Sequence, residues 1–235
     1  MIAPVHRVVV GGLVTLAFTV LARWLRGVSF SGAIAGAVVC YVLYVAEGPA
    51  AFATLVAVFV LTWTSTRFGY RRKLGLGTAQ NADGRTASQV LANLAVAAGC
   101  AASYGVTRQA PFVLATVAAL AEAATDTVSS ELGQARSKTA RLITTWEVVP
   151  AGTNGGISVA GTVAGIAAAA CVAIVAFLTR LIELKWVGIA VIAGFAGMIA
   201  DSLLGALLEE RRVLNNDWVN FLGTLTAAAV AMLLA

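Results

Sequence analysis

EAATDTVSSELG, at residues 122–133, sets three carboxylates, Glu122, Asp126 and Glu131, in or just beyond an apolar run that otherwise reads as a membrane helix. An Asp near the centre of such a helix costs ~2.5–3.5 kcal/mol on insertion scales, so acids there usually face a polar cavity, a partner or a cation. Glu122 and Asp126 are four residues apart and share one helix face, which Ser130 continues. Thr127, Ser129 and Ser130 add hydroxyls within the same turns. This oxygen-rich surface suits a hard cation and its phosphate load better than it suits lipid.

Outward from that run, composition sets the class. Of 235 residues, 60% are hydrophobic and only 11% charged, with a mean hydropathy of +0.89; soluble domains carry about 25% charged residues. The reading is an all-α, polytopic transmembrane bundle of about eight spans, a single domain over 1–235 whose motifs fall in 83–223. Apolar runs predict spans at 6–23, 29–46, 50–65, 88–105, 110–128, 157–178, 186–208 and 217–235. Glu47-Gly48-Pro49 stops one helix and starts the next, which predicts a tight hairpin between spans two and three. The first run begins almost at Met1 without a small-residue cleavage site and is expected to be a retained span. Cys40, Cys100 and Cys171 lie inside apolar runs without paired spacing, which argues against a disulfide framework or a cysteine metal site. With His6 as the one histidine, histidine-based acid catalysis and histidine-ligated zinc are not expected.

Charge orients the bundle. The connections after spans one, three, five and seven hold Arg23, Arg26, Arg67, Arg71, Arg72, Lys73, Arg85, Arg136, Lys138, Arg141, Arg211 and Arg212, twelve of the sixteen basic residues. By the positive-inside rule this end is cytoplasmic and both termini are outside. Arg67, Arg71, Arg72 and Lys73 read first as a lipid-headgroup anchor. This distribution follows the membrane and gives no indication of a nucleic-acid partner.

Four polar clusters fall at that same end and predict one site facing the cytosol. They are DGRTASQVLAN at 83–93, the acidic run at 122–133, PAGTNGGIS at 150–158, and the stretch from Asp201 and Ser202 through Gly205 and Glu209 to Asn215, Asn216, Asp217 and Asn220. Each has a plainer reading. Glu122 and Asp126 also fit a structural pair, and Asn215 to Asp217 read first as a turn and helix N-cap. Arg85 fits either a membrane anchor or a phosphate contact beside Asp83, Gln89 and Asn93. Gly152, Thr153, Asn154, Gly155, Gly156 and Ser158 form either a flexible lead-in or a backbone cradle for phosphate at a helix N-terminus, without a Walker ending. A faint echo pairs Asp126 with Asp201 and Asn93 with Asn220, placing two carboxylate helices and two amide helices around one axis.

The segments DGRTASQVLAN, EAATDTVSSELG, VPAGTNGGISVAGT and ADSLLGALLEE with LNNDWVNFLGT together resemble the integral-membrane family of transmembrane protein 19 and the chloroplast phytyl-phosphate kinase. The resemblance runs from about Asp83 to the C-terminus; the first three spans carry no matching motif, which leaves a lipid-facing entrance unassigned. It implies transfer of the terminal phosphoryl of a nucleoside triphosphate, CTP by analogy, to a prenyl or phytyl monophosphate. Phosphoryl transfer rests on positioning and charge neutralisation and needs neither histidine nor cysteine. On this reading Glu122, Asp126, Glu131 and Asp201 hold Mg²⁺, with Asp126, Glu131, Asp201 and Arg85 catalytic. Asn93, Thr127, Ser130, the 152–156 loop, Ser158, Ser202, Asn216 and Asn220 bind donor or acceptor. Two other classes stay open: an ion-coupled transporter using the acids as a cation or proton pathway, and a lipid-phosphate cytidylyltransferase. A bacterial inner membrane, or a thylakoid-like one, is the expected location, and homo-oligomerisation is left open.

Overall fold

The computed structural model describes residues 5–235, so the first four residues of the expected 1–235 domain lie outside the described ones. Its helices are α1 (Val5–Trp24), α2 (Phe30–Glu47), α3 (Pro49–Arg67), α4 (Tyr70–Leu76), α5 (Ala87–Thr107), α6 (Ala110–Arg136), α7 (Val159–Leu178), α8 (Leu184–Leu204) and α9 (Asn216–Leu234). All but α4 contribute to eight helices long and apolar enough to cross a membrane, as composition predicts. Local chemistry sets their ends. Gly48, at φ +91°, closes α2 with its N–H on Tyr44 O, and Pro49 opens α3 directly, giving the expected hairpin. Ser29, Ser158 and Asn215 cap α2, α7 and α9, and Thr86 with Gln89 forms a full capping box on α5.

One helix is the axis. Over its most apolar 18 residues α6 is 83% buried, against 17–44% for the other seven spans. It packs on α3, α5, α7, α8 and α9, and small residues permit the approach. A methyl on Gly161 of α7 would lie 2.5 Å from Ser129 O, and one on Gly165 2.9 Å from Thr125 O, so this small-x-x-x-small pair brings α7 against the α6 backbone. The outward faces keep large apolar side chains, among them Leu13, Phe30, Val38, Val163 and Ile192, exposed for lipid.

Three features depart from expectation. First, α6 runs to Arg136 and not 128, so it carries Glu131 and Gln134 as well as Ser130. Second, the 137–158 connection is a small antiparallel sheet in the order β2-β1-β3, from β1 (Thr139–Leu142), β2 (Val148–Pro150) and β3 (Gly156–Ile157), with Thr139 opposite Pro150 and Arg141 opposite Ile157. Third, α8 continues into a π-helical turn at Gly205–Glu209. The 67–86 connection is not free either: it holds α4, and Arg85 bridges to Val28 through Arg85 N–H to Gly27 O (3.1 Å) and Ser29 N–H to Arg85 O (2.9 Å).

Candidate functional site

At the basic end of the bundle, α5, α6, the 139–158 segment, α8 with its π turn, and α9 surround a polar cavity of ≈ 240 Å³. Asn93, Asp126, Asp201 and Asn220 line it from four different helices, the arrangement the two sequence echoes predicted. Arg85, Thr127, Ser130, Glu131, Gly152, Thr153, Asn154, Gly155, Gly156, Ser158, Ser202 and Asn216 line it as well. Glu122 is the one expected site residue outside that lining. It lies one turn deeper on α6 and is 1% exposed.

Glycines make room for that deep carboxylate. A methyl on Gly197 of α8 would stand 2.5 Å from Glu122 Cγ, and one on Gly223 of α9 would stand 2.7 Å from Glu122 Oε1 and 3.4 Å from Asp201 Oδ2. Both of those carboxylate oxygens are buried without a hydrogen-bond partner. Buried polar atoms are nearly always satisfied, so the two orphan carboxylate oxygens flanking one glycine are free to accept from a ligand or a water.

Arg85 faces the acids. Its Nη2 donates to Thr127 Oγ1 at 3.1 Å, which aims the guanidinium across α6. Burial lowers its pKa, while the Glu131 and Asp126 carboxylates push it back up; a guanidinium keeps its charge under such a pull. The close approach that fixes it is visible at Gly32, where a methyl would meet Arg85 O at 2.0 Å.

Several expected roles are corrected. Lys73 is no headgroup anchor: it is fully buried, ion-paired to Glu131, and donates to Ser65 O (3.1 Å) and Thr66 O (2.7 Å) at the end of α3. Glu131 therefore already has a cationic partner, which competes with the metal role expected of it. Asp83 pairs with Arg23 at 2.9 Å on the surface, away from the cavity lining. Ser158 Oγ accepts from Gly161 N–H as the α7 cap, and Asn215 caps α9 as expected. In the glycine loop the Thr153 and Gly156 N–H groups donate within the loop, to Pro150 O and Thr153 O, so those two amides are not presented to a phosphate. The loop is nonetheless tightly placed: Gly152 and Gly155 adopt φ of +93° and +73°, and a methyl on Gly155 would lie 2.4 Å from Ala206 Cβ in the π turn.

Sequence reasoning missed Thr78, Gln80 and Gln134, which also line the cavity. Gln134 Oε1 is a further buried acceptor without a partner. Its signal was present as the next polar residue, one turn past Ser130 on the α6 face, but the helix was expected to end earlier.

Among the described residues, no three of the Asp, Glu, Cys and His side chains stand close enough to cage an ion alone. Mg²⁺ does not require such a cage, since it is ordinarily held by one or two carboxylates together with substrate phosphates and water. The donor set of carboxylates, hydroxyls and amides, and the orphan oxygens of Glu122 and Asp201, fit that mode.

Fold and site together define a polytopic membrane protein with a polar, acid-lined chamber at one end of an eight-span bundle. The chain belongs to the integral membrane protein DUF92 family, whose pattern matches residues 13–228. It is 38% identical over 118 residues to an uncharacterized membrane protein of Methanocaldococcus jannaschii, covering 50% of this chain and 49% of that one. It is 31% identical over 218 residues to Protein VTE6, chloroplastic, of Arabidopsis thaliana, covering 88% of this chain and 65% of that one. An uncharacterized membrane protein of a Synechocystis strain is 32% identical over 196 residues, covering 81% of this chain and 76% of its own length. The chain thus spans about half the length of the archaeal relative and somewhat under two thirds of the plant one. No solved structure matches the chain.

Proposed function

We propose that the chamber transfers the terminal phosphoryl group of a nucleoside triphosphate, CTP by family resemblance, to a prenyl monophosphate such as phytyl phosphate, giving the diphosphate. The observation that carries this reading is that Arg85, Asp126 and Asp201 line one chamber, with buried carboxylate oxygens of Glu122 and Asp201 lacking a hydrogen-bond partner. Membership in a membrane family related to phytyl-phosphate kinase supports the class; the donor and the acceptor belong to the proposal.

In the transfer, an oxygen of the acceptor monophosphate attacks the terminal phosphorus. A new P–O bond forms, the P–O bond to the nucleoside diphosphate breaks, and its electron pair leaves with that diphosphate. The acceptor phosphate is itself the nucleophile, so no strong general base is needed. Asp126, Asp201 and Glu122 would hold Mg²⁺, which when bound neutralises charge on the donor phosphates. Arg85, held by Thr127 through one nitrogen, keeps further N–H donors for phosphate oxygens. Asn93, Asn216 and Asn220 orient donor or acceptor, and the glycine loop with Thr153, Asn154, Ser130 and Ser202 closes the chamber around them. Glu131, neutralised by Lys73, positions the α6 side of the chamber against α4. The positive-inside rule puts this end in the cytosol, where nucleotides are available.

The test is substitution of single carboxylates. Asp126→Asn and Asp201→Asn should each lower transfer by at least about 100-fold, since each removes charge stabilisation at the reacting phosphates, while thermal unfolding in detergent stays close to wild type. Full transfer activity in both folded variants contradicts the metal assignment.

A further inference from the structure

The first three spans, together with α5, line a second cavity. It is larger than the chamber, at ≈ 470 Å³, and its walls include Phe18, Gly36, Leu55, Val58, Phe59 and Leu94. Gln80, Arg85 and Asn93 line both cavities, so the two meet at one polar seam. Along α3 the lining runs from Arg67 to Leu55, about 18 Å at the helical rise, or roughly half the ~30 Å hydrocarbon thickness. Charge follows the same gradient. Arg26, Arg67 and Arg85 line the cavity toward the basic end, and no Asp or Glu is among its lining residues. Such a shape takes an amphiphile with an anionic head at the seam and a hydrocarbon chain reaching down between α1, α2, α3 and α5.

We infer that this cavity is the tail site for the acceptor, holding the isoprenoid chain of a prenyl monophosphate with its phosphate at the Gln80, Arg85 and Asn93 seam. The inference rests on the kinase reading of the adjoining chamber, and it makes the first three spans the determinant of acceptor chain length. It also accounts for two neighbouring glycines differently. Gly32 is required by the close approach of the Arg85 backbone, whereas a methyl on Gly36 would meet no atom within 4 Å. Gly36 therefore opens onto the cavity, and a larger side chain there starts into the tail site.

The experiment compares wild type, Gly36→Leu and Gly36→Trp in detergent with two acceptors, phytyl monophosphate and the short dimethylallyl monophosphate. Filling the cavity should raise KM for the phytyl acceptor by at least about tenfold in the Trp variant, with a smaller rise for Leu, and leave kcat/KM for the short acceptor near wild type. Equal effects on both acceptors, or none on either in folded variants, overturn the tail assignment. A readout independent of catalysis uses a phytyl monophosphate analogue carrying a diazirine at the far end of its chain. Photolabelling should map to α1, α2 and α3 and fall in Gly36→Trp; labelling confined to the outer faces, or suppressed equally by a two-chain phosphatidate, overturns it. Labelling of these helices by a wild-type protein that forms no diphosphate keeps the tail site and removes the kinase reading, whereas transfer without such labelling keeps the kinase and removes the tail site.

Discussion

Lys73 shows how much one buried side chain organises. It leaves water completely, pairs with Glu131 on α6, and closes the last carbonyls of α3, joining two helices and the α4 segment at one nitrogen. Removing one partner of a buried pair strands the other charge, at about 3–5 kcal/mol. Lys73→Met should therefore lower the unfolding midpoint strongly, and adding Glu131→Gln should recover part of the loss, as a double-mutant cycle in denaturant would measure. Additive losses in the double variant contradict the pairing. None of this was legible in the sequence, because Lys73 follows Arg71 and Arg72 in a run that reads as a membrane anchor and its partner lies 58 residues away. The acids were legible for the opposite reason: an ionised group in an apolar run needs an explanation wherever it points, so Glu122, Asp126 and Asp201 stood out before any contact was known.

Between elements, the chamber depends on how the 150–156 loop meets the π turn. Gly155 has φ +73° and sits where a methyl would press on Ala206 Cβ, Ala206 N and Ser202 O. Gly155→Ala adds roughly 1–2 kcal/mol of left-handed backbone strain to that clash and should push the loop away from α8. The expected result is a raised KM for the nucleotide with little change in the global unfolding temperature, since the α6 core is untouched; unchanged nucleotide kinetics contradict the loop's part in the chamber. The glycines were legible as a special segment, but their setting was not. Strands of four, three and two residues are too short to display a period-2 pattern. The π turn is equally silent: Asp201, Gly205 and Glu209 have helical spacing, and only the structure reveals that the last turn widens while all three still face the cavity. The end of α6 was missed because apolar periodicity stops near Val128 while the helix continues under tertiary contact with α4 and α7.

Across the whole molecule, eight alternating spans bring every odd-numbered connection to the same end, so motifs more than a hundred residues apart converge without any long-range signal in the sequence. The bundle and its span count were therefore readable from hydropathy alone. What hydropathy does not disclose is that the first three spans, together with α5, line a cavity, because small and apolar residues there look the same whether they face lipid, protein or a bound chain. The resulting division, a polar chamber on the α6 axis and an apolar cavity beside it meeting at Arg85, is the one the proposed amphiphilic acceptor requires. The central claim is phosphoryl transfer to a lipid monophosphate, and the most direct measurement incubates the purified protein in detergent with Mg²⁺, phytyl monophosphate and each nucleoside triphosphate in turn, identifying the lipid and nucleotide products by mass spectrometry. The account predicts phytyl diphosphate and a nucleoside diphosphate, with CTP the best donor and no product after chelation of the metal. A nucleotidyl-lipid with pyrophosphate, or no product with any donor, contradicts it.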